Sequence, residues 1–380
     1  MNAYDVVVIG AGFLGLSSAY ALAGQGARVL LLDACEIGVG TSAACSGRAQ
    51  VCEGFLDPLN IRLIVEGIGR HQTLEEELGC RYDWRMTGLF LIIRAESSRE
   101  AWLQRAAALT ANGIPTEVVD RETLQKAEPN MNAAGLLGAV YAREGMLDPL
   151  KFSLAYAAAA RRRGAVILGN SPVTGFERRG RRITAVRAGE ESFACDKAAV
   201  MTGAWMAETV RLASIDLPAL FTHAEALVTE RIPRMIFNNV EISDFYETIH
   251  GKRRAVAIGV HPELNGSVAV SEAVTQTPLR GKHVSAWGLT ALSQTLVELY
   301  PFMKKARVVR AWGRPTSFTP DGEPLVGWLP QLDNLFVAGS LAETITAVPV
   351  LSEWIAAMMT GGETPLSLKQ FSPARFFDDG

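Results

Sequence analysis

Residues Tyr4–Asp33 read YDVVVIGAGFLGLSSAYALAGQGARVLLLD, and the groups there that can do chemistry are three glycines and an acid. Gly10, Gly12 and Gly15 have the spacing G-x-G-x-x-G, and Asp33 closes the stretch. Gly10 permits a tight turn, Gly12 lets backbone approach a pyrophosphate, and Gly15 lets a helix pack closely on a strand. A helix start at this point offers free N–H groups and a positive dipole end to the phosphates. Asp33 is placed to accept hydrogen bonds from ribose hydroxyls, and its charge repels a 2′-phosphate, which disfavours NADP. The chemistry on offer is a grip on the ADP half of a dinucleotide. These residues do not choose between FAD and NAD.

The elements that position them are legible too. Val6–Ile9 is a short apolar run, a small-residue helix follows the glycines, and a second apolar run, Val29–Leu32, ends at Asp33. A lone G-x-G-x-x-G is common in a glycine-rich chain. Strand, turn, helix, strand and acid in this order separate the motif from a structural glycine turn.

The 380 residues suffice for two domains with their own cores, and the balance of 48% hydrophobic and 20% charged residues is that of a globular protein. A net charge of −3 argues against nucleic-acid binding. The five cysteines (Cys35, Cys45, Cys52, Cys80, Cys195) form no CxxC pair, and the five histidines show no ligand spacing. This pattern fits reduced thiols and a cytoplasmic location, and it offers no home to a metal or an iron–sulfur cluster. No leader pattern is visible at Met1–Tyr4, and no apolar run reaches the ~18 residues of a spanning helix.

Further along, the small-residue loop Gly38–Arg48 suits close approach to a ligand. Helices are expected over Pro58–Leu78, Ser98–Asn112 and Leu150–Arg163, the last started by Asp148-Pro149. Strands are expected at Thr87–Ile93, Val173–Glu177, Ile183–Arg187 and Lys197–Thr202. The arginines at 161–163 and 178–182 read as a solvated helix end and an exposed hairpin turn rather than a basic patch. Between Pro218 and Arg310 the pattern changes to alternating strands (Glu225–Glu230, Val256–Val260, Val268–Glu272) and one helix, Leu289–Tyr300. A strand Asn334–Gly339 and a helix from Thr346 to Met359 then resume the opening pattern. The expected class is α/β: a Rossmann-type, glutathione-reductase-like FAD domain plus an α+β substrate domain with an antiparallel sheet. The expected division is 1–78, 145–217 and 315–370 for cofactor binding, and 79–144 and 218–314 for substrate binding.

Three segments far from the start bear on the cofactor. Thr202-Gly203-Ala204-Trp205 follows a buried strand. Trp312 precedes Thr319-Pro320-Asp321-Gly322-Glu323-Pro324-Leu325-Val326-Gly327, and Asn334-Leu-Phe-Val-Ala-Gly339 follows. With the opening motif they resemble, from about Tyr4 to Met359, the D-amino-acid oxidase-like (DAO) family of FAD-dependent oxidoreductases. That family includes glycine and sarcosine oxidases and the catalytic subunits of heteromeric proline and opine dehydrogenases. The resemblance implies FAD stretched from the Gly10–Gly15 turn to a domain interface. It places Phe13 and Leu14 at the pyrophosphate, and Asp33 and Ala34 at the ribose. Thr41, Ser42, Ser46, Gly47 and Arg48 then run toward the flavin. By the same resemblance Val173 reads adenine through its backbone, and Thr202, Gly203 and Trp205 back the cofactor. Gly339, Leu341, Ala342, Glu343, Thr344, Ile345 and Thr346 pass beside the isoalloxazine, where a helix start aims its positive end at the ring.

The chain also departs from that pattern. The two arginines that clamp a substrate carboxylate in glycine oxidase-like members fall, without gaps, on Thr316 and Ala342. Arg314 is two residues off that register and is expected on the opposite face of an extended segment. Glu343 and Thr344 replace the usual Asn/Arg–Gly pair. Substrate-side candidates are therefore Glu343, Thr344, Arg314, Thr316, Arg48 and His250, and no general base is named. The resemblance implies dehydrogenation of a C–N bond by hydride transfer to flavin N5. The expected substrate is a secondary amine or amino acid. The expected setting is the catalytic subunit of a heteromeric opine (octopine- or nopaline-type) or imino-acid dehydrogenase, whose partner subunits carry further redox centres. Two alternatives stand beside it: a stand-alone glycine or D-amino-acid oxidase making hydrogen peroxide, and a non-catalytic flavin-bearing assembly subunit.

Overall fold

The computed structural model describes residues 3–244, 253–277 and 280–377. Its first sheet is built from the apolar runs of the opening motif. Leu335–Gly339, Glu191–Val200, Tyr4–Ile9, Val29–Leu32 and Val166–Leu168 lie side by side in that order, all parallel. Leu325–Trp328 adds antiparallel at the Leu335–Gly339 edge. Val29–Leu32 and Leu335–Gly339 are buried at every position. Covered on both faces, such strands need apolar residues throughout, so they read as continuous runs rather than alternations. One face, through Val6, Val8, Val29 and Leu31, packs on the helices Phe13–Gly24, Pro58–Glu77, Pro149–Arg162 and Thr344–Thr360. The other, through Val7, Ile9, Leu30 and Leu32, packs on Met206 and Val210 and on Ile183 and Val186 of an antiparallel hairpin. That hairpin, Val173–Arg179 with Arg182–Ala188, puts the 178–182 arginines at its exposed turn. Arg161–Arg163 are exposed at their helix end, with the Arg163 guanidinium 3.6 Å from the centre of the Tyr20 ring.

The second sheet runs in the order Val308–Phe318, Leu220–Thr229, Val268–Gln276, Arg254–Pro262, Asn239–Ile242, Arg85–Ile93, Gly138–Met146, Arg48–Ala49. Thr116–Asp120 also pairs with Gly138–Met146. The sheet is mixed rather than purely antiparallel, because Asn239–Ile242 runs parallel to Arg85–Ile93. The helix Ala286–Leu299 packs on one face; Ser285 caps it, and Glu225 accepts from both the N–H and the hydroxyl of Ser285. The strand Arg48–Ala49 carries the loop after the opening unit into this sheet by pairing with Gly145 and Met146. No helix of the described residues is long and apolar enough to cross a membrane.

His71 ties the long helix Pro58–Glu77 to the last helix. It is fully buried, with Nε2 2.9 Å from the Ile345 carbonyl, Nδ1 3.2 Å from the Tyr82 hydroxyl and its ring stacked on Trp84. Burial pushes its pKa down from 6.5 to about 4, against the opposing pull of the Ile345 carbonyl. Native His71 is therefore neutral while the unfolded chain takes up a proton. Its contribution is present above 6.5 and is lost as pH falls toward 4, up to about 3 kcal/mol. His71→Phe is expected to lower stability at neutral pH and to flatten this acid limb in urea titrations across that window. An acid limb as steep as that of the parent would refute the assignment.

Candidate functional site

The opening turn is held from below and behind. Gly10 has φ +110°, and a Cβ there would meet the Met201 carbonyl oxygen at 2.5 Å. Gly15 lies under the turn, where a Cβ would stand 1.9 Å from the Gly10 carbonyl oxygen. Asp33 fastens the loop: Ala11 N–H donates to its Oδ2 at 2.6 Å and Cys35 N–H to its Oδ1 at 2.8 Å. Phe13 N–H donates to Ser42 Oγ at 3.1 Å. Gly12, at the N-cap of the Phe13–Gly24 helix, supplies no side-chain cap, so this helix end is open to a ligand.

A cavity of about 690 Å³ runs from this turn to the second sheet, within the range of small-molecule and cofactor sites. Gly10, Gly12, Phe13 and Leu14 line one end, beside Asp33 and Ala34. Thr41, Ser42, Ser46 and Arg48 follow, with Val173 and with Thr202, Gly203 and Trp205. Gly339, Leu341, Ala342, Thr344 and Ile345 line the far part, where the last helix begins at Thr344. Four expected residues lie off the wall. Gly15 supports the turn, and Gly47, at φ +79°, packs on the Leu147 carbonyl. Thr346 is buried and donates to the Gln50 carbonyl. Glu343 is the N-cap residue of the last helix, its carboxylate against Gly54. His250 lies outside the described residues.

The second sheet roofs the cavity with Thr222, Glu241, Ser271, Glu272, Arg314, Thr316 and Phe318. The expectation that Arg314 faces away from Thr316 is overturned: residues two apart on a strand share a face, and both line the cavity. Arg314 is already paired. Its guanidinium bonds Glu272, and Nη1 donates to the Ala44 carbonyl at 3.0 Å, which also accepts from Trp312 Nε1 at 2.8 Å.

Arg48 is more deeply committed. Its guanidinium donates to Glu144 at 2.8 and 2.7 Å, to Glu53 at 2.8 Å, and bonds Glu241. All four side chains are buried, and Asn239 donates to Glu144 at 2.7 Å. One cation cannot hold three carboxylates ionised out of water. At Glu53, burial opposes ionisation, but the Arg48 guanidinium wins and keeps the carboxyl below its ordinary range. At Glu144, burial outweighs Arg48 and the pKa rises. At Glu241, burial, aided by Glu53 and Glu144, pushes it up to about 8 against Arg48.

Arg48 therefore arrives neutralised by Glu53, with Glu144 and Glu241 as its further hydrogen-bond partners, and Arg314 by Glu272. Lys282, also on the wall, donates to the Val39 carbonyl. Such a site suits a cationic nitrogen better than a free carboxylate, which would have to displace Glu272 from Arg314. The sequence reading missed Glu53, Glu144, Glu241, Ser271 and Glu272. A signal existed: Glu241 interrupts the run Asn239-Val-Glu-Ile, and a charge inside a strand buried at every position demands a partner.

The sequence profile of the family described as "FAD dependent oxidoreductase" (DAO) matches residues 5–358. Mouse mitochondrial dimethylglycine dehydrogenase is 23% identical over 98% of this chain, which spans only 44% of that protein's length. The hydrogen cyanide synthase subunit HcnC of Pseudomonas aeruginosa is 24% identical, covering 98% of this chain and 96% of that one. The structure of L-proline dehydrogenase from P. horikoshii superposes with a TM-score of 0.89 at 22% identity, covering 99% of this chain and 98% of that one. That likeness establishes a shared fold.

Proposed function

The chain belongs to the DAO family of FAD dependent oxidoreductases, and on that premise we propose that it dehydrogenates a C–N bond of a secondary amine or amino acid as the flavin-bearing subunit of a heteromeric dehydrogenase. The residues present fit FAD. The open helix end and the side-chain-free backbone of Gly12 on the cavity wall suit the pyrophosphate, and Asp33 suits the ribose. In this reading residues 1–78, 145–217 and 315–370 serve the cofactor, and 79–144 and 218–314 the substrate. FAD, when bound, supplies a hydride acceptor at N5. The chain's own work is orientation. The Thr344–Thr360 helix begins on the cavity wall, and its positive end favours negative charge there. The acidic roof receives the substrate nitrogen, and Thr222, Ser271 and Thr316 offer hydroxyls to its polar groups.

The observation that carries the amine assignment is the pairing of both wall arginines with carboxylates. In an opine or imino acid the secondary nitrogen would face Glu272 and Glu241, leaving the carboxylate to the hydroxyls of Thr222, Ser271 and Thr316. A guanidinium-bearing opine would add a second cation. The relative named as a synthase subunit, matched over nearly its whole length, supports the heteromeric setting. Five unbridged cysteines support a cytoplasmic location.

Anaerobic titration of the holoprotein with secondary amines, prolines, opines, glycine and D-amino acids tests this. Secondary amines are expected to bleach the oxidised flavin band without a partner chain. Hydrogen peroxide made from glycine or D-amino acids by this chain alone would favour the stand-alone oxidase. No bleaching by any compound would leave the assembly-subunit reading.

A further inference from the structure

Glu241, Gly259 and Ser271 are neighbours across three strands: Glu241 pairs with Gly259, and Gly259 with Ser271. His261 stands two residues beyond Gly259 and so shares its face. A Cβ on Gly259 would lie 2.7 Å from His261 Nε2, 2.9 Å from Glu241 Oε1 and 3.0 Å from Ser271 Oγ. Three polar side chains thus converge on space left by one missing side chain. His261 Nε2 is 3.4 Å from Glu241 Oε1 and 3.4 Å from Ser271 Oγ.

The three groups also join two spaces. Glu241 lines the cofactor cavity, and Ser271 lines that cavity and a second one of about 810 Å³. His261 lines the second cavity, with Asp83, Asp148, Lys151 and Glu263. The His261 ring is fully buried, and its Nδ1 has no partner. A cavity of this size lined by charged side chains has room for water, and the unpartnered Nδ1 is the ring atom left to hand a proton on toward it.

We propose that Glu241 accepts the proton given up by the substrate nitrogen, and that Ser271 and His261 pass it to the second cavity. This rests on the amine-dehydrogenation reading above. The N–H bond of the bound ammonium breaks, its electron pair stays on nitrogen, and the proton joins Glu241 Oε1. The α-hydrogen leaves as hydride to the flavin, the family's oxidant, while the nitrogen pair forms the C=N bond. The proton on Glu241 then moves to His261 Nε2, directly or through the Ser271 hydroxyl, as the Nδ1 proton leaves to water.

The surrounding charges suit these roles. Arg48, Glu53 and Glu144 face Glu241, and burial pushes Glu241 up to about 8, closer to an ammonium than an ordinary carboxyl stands. Burial, with Arg48 and Arg314, drives His261 well below its ordinary value, so it passes a proton without storing one. Glu263, which burial pushes up to about 7 against Arg85, waits in the second cavity.

The test uses holoprotein and the variants Glu241→Gln and Gly259→Ala. Gln matches the neutral carboxyl in shape and keeps an oxygen for Arg48. Flavin content and melting temperature verify that both variants fold. In the parent, one component of the infrared carbonyl band of protonated carboxyls is expected to titrate near pH 8, apart from that of Glu263 near 7, and to be missing from Glu241→Gln. The rate of anaerobic flavin reduction by whichever amine of the panel bleaches the parent is expected to rise with pH to a limb near 8. In Glu241→Gln that limb should move to the amine's own pKa and the rate fall about 10²-fold. Gly259→Ala, which wedges the three groups apart, should keep the limb and slow repeated turnover with an artificial electron acceptor about tenfold, because Glu241 must shed its proton between turnovers. A component titrating near pH 8 that survives in Glu241→Gln, or an unchanged rate and limb there, overturns the relay and leaves amine dehydrogenation standing. Parent-like repeated turnover in Gly259→Ala overturns the passage through His261. A parent that no amine reduces overturns both readings.

Discussion

Arg48→Met is expected to destabilise the chain by about 3–5 kcal/mol at neutral pH. Met nearly fills the space of the arginine stem, so the loss isolates the charge. Without the guanidinium, Glu53, Glu144 and Glu241 face one another in a buried pocket, with Asn239 as a neutral donor to Glu144. They relieve the repulsion by holding protons, so their folded pKa values rise above the ordinary 4.5. A carboxyl raised on folding contributes stability below its unfolded pKa and loses it as pH climbs through the folded one. The deficit should therefore be small near pH 5 and largest above about pH 8. Urea titrations of parent and variant across that range measure it. Arg48→Met/Glu144→Gln should recover part of the loss, because it removes one of the stranded acids. A single variant as stable as its parent at alkaline pH would show that the cluster is not an ion cage.

Gly15→Ala should empty the cofactor site. Judged on helix propensity alone, alanine would stabilise the helix by roughly 1 kcal/mol. The local clash decides otherwise. The new Cβ would lie 1.9 Å from the Gly10 carbonyl oxygen, a backbone atom that cannot rotate away. Gly10 cannot retreat either: its N–H is bonded to the Leu32 carbonyl at 2.8 Å, and the Met201 carbonyl closes its other side. The strand–helix contact must open, at an expected cost of about 1–3 kcal/mol. The turn that cradles the pyrophosphate moves with it, and flavin retained per protein after gel filtration should drop about tenfold, the factor that 1.4 kcal/mol of lost binding gives. Gly69→Ala, in the helix Pro58–Glu77 where a Cβ meets nothing within 4 Å, is the control and should keep both flavin and stability. Full flavin content in Gly15→Ala would refute the argument.

The two predictions differ in how far the sequence alone reaches them. The Gly15 effect follows from spacing, because a turn, its helix and the flanking strands are made by residues close in the chain. In the first sheet Val29–Leu32 and Leu335–Gly339 were legible because strands buried on both faces must be apolar throughout. By contrast, Glu191–Val200 begins six residues before its expected start at Lys197, and the short strands Val166–Leu168 and Leu325–Trp328 were not read. The last helix begins at Thr344, two residues before its expected start, since nothing local marks the first turn of a helix whose N-cap residue, Glu343, forms no side-chain cap bond. The strand Gly138–Met146 was not read at all, because its run GAVYAREGM is broken by an exposed Arg143 and by Glu144, the acid that the buried Arg48 requires.

By itself the sequence determined the dinucleotide grip, the family pattern and the absence of arginine at Thr316 and Ala342. Only the tertiary structure decided what stands there instead. Arg48, Glu144 and Glu241 come from distant segments and meet because Arg48 pairs with Met146 and Glu241 with Gly259 and Leu91. Arg314 and Glu272 meet because the strand Leu220–Thr229 sits between theirs and fixes their register. Glycine spacing is a property of neighbouring backbone, so it is written locally. The pairing of buried charges depends on strand register across the whole sheet, where one residue of slip turns every side chain to the other face.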